Sequence, residues 1–256
     1  MKRGLPLEEA EILRLLRFGG VWTENSRTKN PEARIETPVT VYEPSRPVEE
    51  FTLDPALLFY EDERILAVRK PGRVNTCETP FSDIDCLSWG VEKYLRVQGV
   101  DTHVNAVHRL DQPARGLVLF GKDKEAEKRL HGLFQKRKIH KLYRALTPEF
   151  NRTGERWLFR DTLEWRGKEK SARTWVRYAG QKENRLYFDA YPLTGRTHQI
   201  RKHFARYLAP IVGDGIYGGY PLETDLELCC WYYRFRHPFT GKKLELCDLP
   251  ERCRPD

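Results

Sequence analysis

Ser171-Ala-Arg-Thr-Trp-Val-Arg-Tyr178 and Leu186-Tyr-Phe-Asp-Ala-Tyr191, followed by Thr197-His-Gln-Ile-Arg-Lys-His-Phe-Ala-Arg-Tyr-Leu208, decide the fold class. The first two segments alternate in polarity, the period of a strand with one face half exposed. In the third, Ile200, Phe204 and Leu208 recur every four residues and share one stripe of a helix. Working outward, Leu142 to Leu146 reads as a strand, and Leu117-Val-Leu-Phe120 as a strand of continuous apolar type. Ile65-Leu-Ala-Val68 is a short buried strand ended by Lys70-Pro71-Gly72. Leu87 to Val97 reads as a helix, and Ala126, Leu130, Leu133 and Phe134 have helical spacing. Trp231 to Phe235 and Leu244 to Cys247 flank Pro238-Phe-Thr-Gly241, a hairpin turn signal. Strands with scattered helices predict an α+β fold with a mixed sheet.

Residues 1–50 differ from the rest. Leu7 to Phe18 predicts a short helix with Ile12, Leu13, Leu15 and Leu16 on its apolar face. Gly19-Gly20 then turns into a hairpin through Arg27, Val39 to Tyr42 is β-rich, and Pro44 and Pro47 mark a linker ending near Glu50. The expected organisation is an N-terminal helix-hairpin module over 1–50 and a larger domain over 51–256.

The 256 residues are 39% hydrophobic, enough for a core, and carry a net charge of +8. No window approaches the roughly 20 apolar residues that span a bilayer, and the start lacks a signal-peptide apolar stretch, so a cytoplasmic protein without a membrane partner is expected. The six cysteines include no Cys-x-x-Cys. Reduced thiols are expected rather than a zinc site. His198 and His203, five apart, do not match the i, i+4 ligand spacing of a helix, and no metal is expected.

Charge is uneven. Lys122 to Arg144 holds nine Lys and Arg against three acids, and Arg166 to Arg177 five against one. Phe134, Tyr143 and Trp175 lie among them. Cations neutralise phosphates and aromatic faces stack on unpaired bases, so Lys136, Arg137, Lys138 and Lys141 are candidate nucleic-acid contacts. The bland alternative is a solvated helix face followed by a solvated hairpin.

Three segments are dense in reactive groups: Val107-His108-Arg109-Leu110-Asp111-Gln112-Pro113, Lys141-Leu142-Tyr143-Arg144-Ala145 and Thr194-Gly195-Arg196-Thr197-His198-Gln199-Ile200-Arg201. Taken alone, Asp111 satisfies a turn, Tyr143 packs on a sheet and Arg201 points to solvent. Together they resemble the RluA-type family of RNA pseudouridine synthases, in this order and with two further matches. These are Pro210-Ile-Val-Gly-Asp-Gly-Ile-Tyr-Gly218 and His237-Pro-Phe-Thr-Gly-Lys-Lys-Leu244. The resemblance implies a mixed, mainly antiparallel central sheet with flanking helices, a monomer, and rRNA or tRNA as partner. It assigns Asp111 as the catalytic residue, Tyr143 against the target base and Arg201 as the partner of Asp111. Ala114-Arg115-Gly116 departs from the family's usual Thr-Ser-Gly, and Arg73-Val74-Asn75-Thr76 from its Gly-rich run. Residues 11 to 42 resemble a small helix-hairpin RNA-binding module of a ribosomal protein.

The implied reaction breaks the bond between uracil nitrogen and ribose, rotates the ring and rejoins it through carbon. Nothing is oxidised and no group is donated, so no cofactor is expected. One ionised carboxylate suffices, as nucleophile or as base. Burial alone neutralises a carboxylate, and a bidentate Arg201 is expected to oppose that for Asp111. The target base must leave its stack. Arg115 is expected to hold its phosphate or fill the vacated stack, and Ile211 or Val212 to face the ring. His108, Arg109, Arg196 and His198 complete the expected substrate contacts. The competing reading is a non-catalytic RNA-binding or ribosome-assembly protein of the same fold, which has no need of the Asp111, Tyr143 and Arg201 set.

Overall fold

Every strand predicted above joins one of two sheets. In a computed structural model the protein is described over residues 8–24, 26–32, 38–44, 47–100, 103–151, 153–165, 167–221 and 224–255. The smaller sheet is β2-β1-β3, with β1 (Val21–Thr23) between β2 (Ser26–Arg27) and β3 (Val39–Val41). Helix α1 (Glu9–Phe18) precedes it and ends on Gly19 at φ 80°, a left-handed stop that suits glycine. The predicted start at Leu7 lies outside the described residues. Leu15, Leu16 and Val21 form a small core of their own.

This module sits on the 79–83 loop of the main body. Trp22 Nε1 donates to the Pro80 carbonyl at 2.9 Å, Arg27 Nη2 to the Thr79 carbonyl at 2.7 Å, and Lys29 Nζ pairs with Asp83 at 2.8 Å.

The nine-stranded sheet is built from β4 (Leu58–Glu61), β5 (Ile65–Lys70), β6 (Arg115–Gly121), β7 (His140–Pro148), β8 (Arg156–Trp165), β9 (Lys168–Lys182), β10 (Arg185–Pro192), β11 (Leu228–Arg236) and β12 (Lys243–Cys247). Its order is β4-β5-β6-β11-β7-β10-β9-β8, with β12 also on β11. All pairings are antiparallel except β11 with β6, which run parallel through Cys229–Arg115 and Cys230–Gly116. Beyond that contact the same edge of β11 pairs with β12. Helices α2 (Leu87–Val97), α3 (Lys124–Gln135) and α4 (Gln199–Tyr207) flank the sheet. Asp123 caps α3 by accepting from Ala126 N at 2.8 Å. The fold is α+β with a mixed, mainly antiparallel sheet, as the sequence implied.

Two strands carried no prediction. In β4 all four residues are half-buried, so no alternation shows. In β8 the inward phase runs Trp157, Phe159, Asp161, Leu163, and the aspartate interrupts it. Arg206 of α4 reaches both Asp161 carboxylate oxygens at 2.8 Å. The partner that makes this charge tolerable comes from another element.

Candidate active site

Asp111 lies on the loop before β6, and two side chains, Lys70 at the end of β5 and Thr76 beyond it, hold that loop. Thr76 Oγ1 donates to the Leu110 carbonyl at 3.0 Å and accepts from Leu110 N at 3.1 Å. Lys70, 1% exposed, donates to the carbonyls of Pro71, Val74 and Gln112 at 2.9, 2.6 and 2.9 Å. Burial pulls its pKa down to about 7, and the charge of Asp111 pulls the other way. Three carbonyls are satisfied together only by an ammonium, which has three hydrogens. Neither residue was singled out from sequence, because each acts on backbone more than 30 positions away.

Arg201 points from α4 toward this loop. Its Nη1 is 3.4 Å from Asp111 Oδ2. The bidentate partner expected in Asp111 is instead Asp214, reached by Nε at 2.8 Å and Nη2 at 2.7 Å. Burial raises the Asp214 carboxyl, but the Arg201 hydrogen bonds and the Tyr217 and Ile216 backbone N–H groups outweigh it and hold it below its ordinary value. Arg201 is thus aimed by one buried carboxylate and offers its remaining edge to another, whose side chain is 22% exposed. Asp214 stands in the Pro210–Gly218 segment noted in the sequence, but its part in the site was missed.

His198 begins α4 in a left-handed conformation, φ 54°. Its Nδ1 lies 3.0 Å from the Tyr217 hydroxyl and its Nε2 3.9 Å from Asp111 Oδ1, too far for a hydrogen bond. Burial lowers its pKa more than Asp111 raises it, so the ring is neutral near pH 7. Gln199 fixes the preceding loop. It accepts from Thr194 Oγ1 at 2.6 Å and Arg196 N at 3.1 Å, and donates to the Arg173 carbonyl and Thr174 Oγ1, both at 2.9 Å.

These groups open on a cleft of about 770 Å³, within the range of small-ligand sites. Leu110, Ala114, Ile139, Tyr143, Ile200 and Leu228 form its apolar wall. Tyr143 on β7 is 6% exposed, and burial beside the Cys230 thiol pushes its hydroxyl well above the ordinary value, so it is a neutral phenol. Lys141 Nζ stands 5.8 Å from the Tyr143 ring centroid and 6.0 Å from that of Phe134. Burial lowers the Lys141 pKa.

The cleft gathers His108, Arg109, Asp111, Arg137, Lys141, Tyr143, Arg196 and His198 of the predicted set. Lys136 and Lys138 lie exposed in the turn from α3 to β7, on either side of Arg137. His108 is turned to the protein: its Nε2 accepts from Leu119 N at 3.2 Å and lies 3.2 Å from the Tyr233 hydroxyl. Burial drops its pKa to about 3, so it stays neutral and serves the wall.

Arg115, Ile211 and Val212 of the expected contacts lie off the cleft. Arg115 does not enter the cleft. It follows Ala114, which does, and strand alternation turns it away to pair with Asp225. Ile211 is fully buried in the core, and Val212 is bound through its backbone to Leu146 and Glu227, so neither lines the cleft. Arg166 of the second basic stretch lies outside the described residues.

Known proteins agree with this architecture. Ribosomal large subunit pseudouridine synthase C of Rickettsia felis is 30% identical over 76% of this chain and 64% of its own length. The enzyme of the same name from Escherichia coli is 29% identical over 95% and 85%. The dual-specificity RNA pseudouridine synthase RluA of Vibrio cholerae is 30% identical over 62% and 67%. Several relatives are thus matched over less than two thirds of their length. Among solved structures, human RNA pseudouridylate synthase domain containing 4 superposes with a TM-score of 0.61 at 18% identity, covering 77% of this chain and 91% of that one. Human RNA pseudouridylate synthase domain containing 1 gives 0.59 at 22%, covering 76% and 82%. The profile described as RNA pseudouridylate synthase matches residues 64–206, which contain the Asp111 loop, β7 and the start of α4, and the chain belongs to that family.

Proposed function

We propose that this chain isomerises a specific uridine of structured rRNA or tRNA to pseudouridine, with Asp111 as the catalytic carboxylate. The supporting observation is the Asp111–Arg201–Asp214 relay at the end of a cationic cleft. A pure binding surface has no need of a buried arginine aimed by one carboxylate at another. In this reading the flipped uracil lies against Tyr143 on the apolar wall, and Asp111 attacks the sugar or removes its proton while the ring turns. Arg201 holds Asp111 in place, and Arg109, Arg137, Lys141 and Arg196 face the phosphates. Unstacking the base costs a few kcal/mol, least in loops and bulges, which selects such sites.

Residues 51–256 carry this activity, and 1–50 form a separate module on the same RNA-facing protein, acting as a monomer in the cytoplasm. The test is pseudouridine mapping in RNA from cells with and without the gene, complemented by wild type or Asp111→Asn. Wild type should restore a discrete modified position and Asp111→Asn should not. Restoration by the mutant overturns the assignment.

A further inference from the structure

The sheet face opposite α4 carries a second surface that the reaction does not use. Residues directly opposite in a ladder share a face, and Leu158, Trp175 and Tyr191 form one row across β8, β9 and β10. Arg160 and Arg173 form the row on one side, and Arg156, Arg177 and Asp189 the row on the other. Trp175, 46% exposed, is thereby framed by four arginines. Asp189 engages Arg177 at 2.8 Å and Arg144 at 3.0 Å. Among the described residues no ion pair occupies Arg156, Arg160 or Arg173.

The patch has clear limits. The C-terminal segment covers this face at Arg144, which donates to the Cys253 carbonyl, and at Tyr187, whose hydroxyl reaches the Arg252 carbonyl at 3.4 Å. At the far end of the β8–β9 hairpin Glu164 faces Glu169, which repels a polyanion. On its open side the face runs into the cleft, because Tyr191 and Arg173 line both. Tyr191 is a fixed platform: its hydroxyl is 3.0 Å from His140 Nδ1 and the two rings stack at 5.9 Å.

We propose that this face holds unpaired nucleotides flanking the target uridine, with bases stacked on Trp175 and Tyr191 and phosphates on Arg156, Arg160 and Arg173. The proposal rests on the chain acting on RNA. Two arguments select the occupant: charge complementarity to a polyanion, and continuity with the cleft. An exposed indole offers its ring face to an unstacked base, which a duplex does not present, so the strand is single.

The test measures anisotropy of a labelled single-stranded oligouridine, and of an RNA duplex of equal length, with the full chain across a salt series. Trp175→Ala should weaken oligouridine binding about tenfold, the scale of removing one base stack, and Trp175→Phe much less. Arg156→Gln with Arg160→Gln should reduce the log–log salt slope by about 0.7 for each phosphate left without its arginine. Duplex affinity should change little with Trp175→Ala. Wild-type oligouridine binding by both the alanine and the double glutamine variants overturns the proposal. So does an equal weakening for duplex by Trp175→Ala, which marks a contact that does not need unstacked bases, or a changed sedimentation coefficient without RNA, which marks association between copies of the chain. Turnover by Asp111→Asn bears on the catalytic reading alone and leaves these binding arms intact.

Discussion

Asp214 grips Arg201 side-on, with two hydrogen bonds of 2.8 and 2.7 Å, while both side chains are all but excluded from solvent. The arginine that faces Asp111 is therefore positioned by a buried carboxylate that does not line the cleft. Asp214→Asn should lower turnover more than RNA affinity, and should cost about 3 kcal/mol of stability, because it leaves a buried guanidinium underpaired. The native carboxyl titrates below its ordinary 3.8, so its contribution is complete above that pH and is lost as pH falls through the lower native value. Urea unfolding of wild type and mutant should show a gap at pH 7 that narrows in acid. A gap of equal size at both extremes contradicts the ion pair.

Tyr143 separates ring from hydroxyl. Burial keeps the phenol protonated, so the ring face is its main offering to a base. Tyr143→Phe should bind substrate RNA within a few-fold of wild type and slow a step after glycosidic cleavage. Tyr143→Ala should weaken binding about tenfold. Single-turnover release of tritium from carbon 5 of uracil distinguishes the two. Weakened affinity in the phenylalanine variant makes the hydroxyl a docking group.

Lys70 gives a pH signature. Its pKa is about 7 in the fold against an ordinary 10.5, so between these values the unfolded chain binds more protons and native stability rises with pH. The stability of wild type relative to Lys70→Met should grow across that window by up to a few kcal/mol. A difference flat from pH 7 to 10 shows that the three carbonyls keep the ammonium charged throughout.

In the exposed turn Lys136-Arg137-Lys138, Arg137 lines the cleft and a lysine flanks it on either side. Changing all three to glutamine should flatten the salt dependence of RNA binding by up to about 2 in log–log slope, at roughly 0.7 per phosphate. An unchanged slope leaves the turn in solvent when RNA is bound.

Much of this was legible from local pattern. Helix α2 runs from Leu87 to Val97 as read, and β10 adds one residue at each end of its alternating stretch, while β9 runs from Lys168 to Lys182, past the Ser171–Tyr178 alternation on both sides. What local pattern lacks is direction and distance. Arg115 is four residues from Asp111, yet one step of strand alternation sends it to Asp225. Ile211 looked available as an apolar wall, while Leu228 and Ile200, far apart in sequence, supply that wall together. Asp161 hid a strand because Arg206, which neutralises it, is 45 positions away. Lys70 and Thr76 work on backbone carbonyls, which every residue has, so no residue pattern announces them.

The parallel contact between β6 and β11 has a consequence for how the enzyme comes into being. Asp111 enters from the β4-β5-β6 side and Tyr143 from the β7-β10-β9-β8 side, and among the described residues no ladder joins these halves except through β11. At the joint Gly116 has φ 115°, and a Cβ there collides with the Cys230 backbone. During synthesis both halves emerge long before residues 228–236 do. A chain still short of Leu228 has Asp111 and Tyr143 on two unconnected ladders. The wall between Asp111 and Tyr143 is therefore joined only when β11 has been made and has taken its place between the two sides.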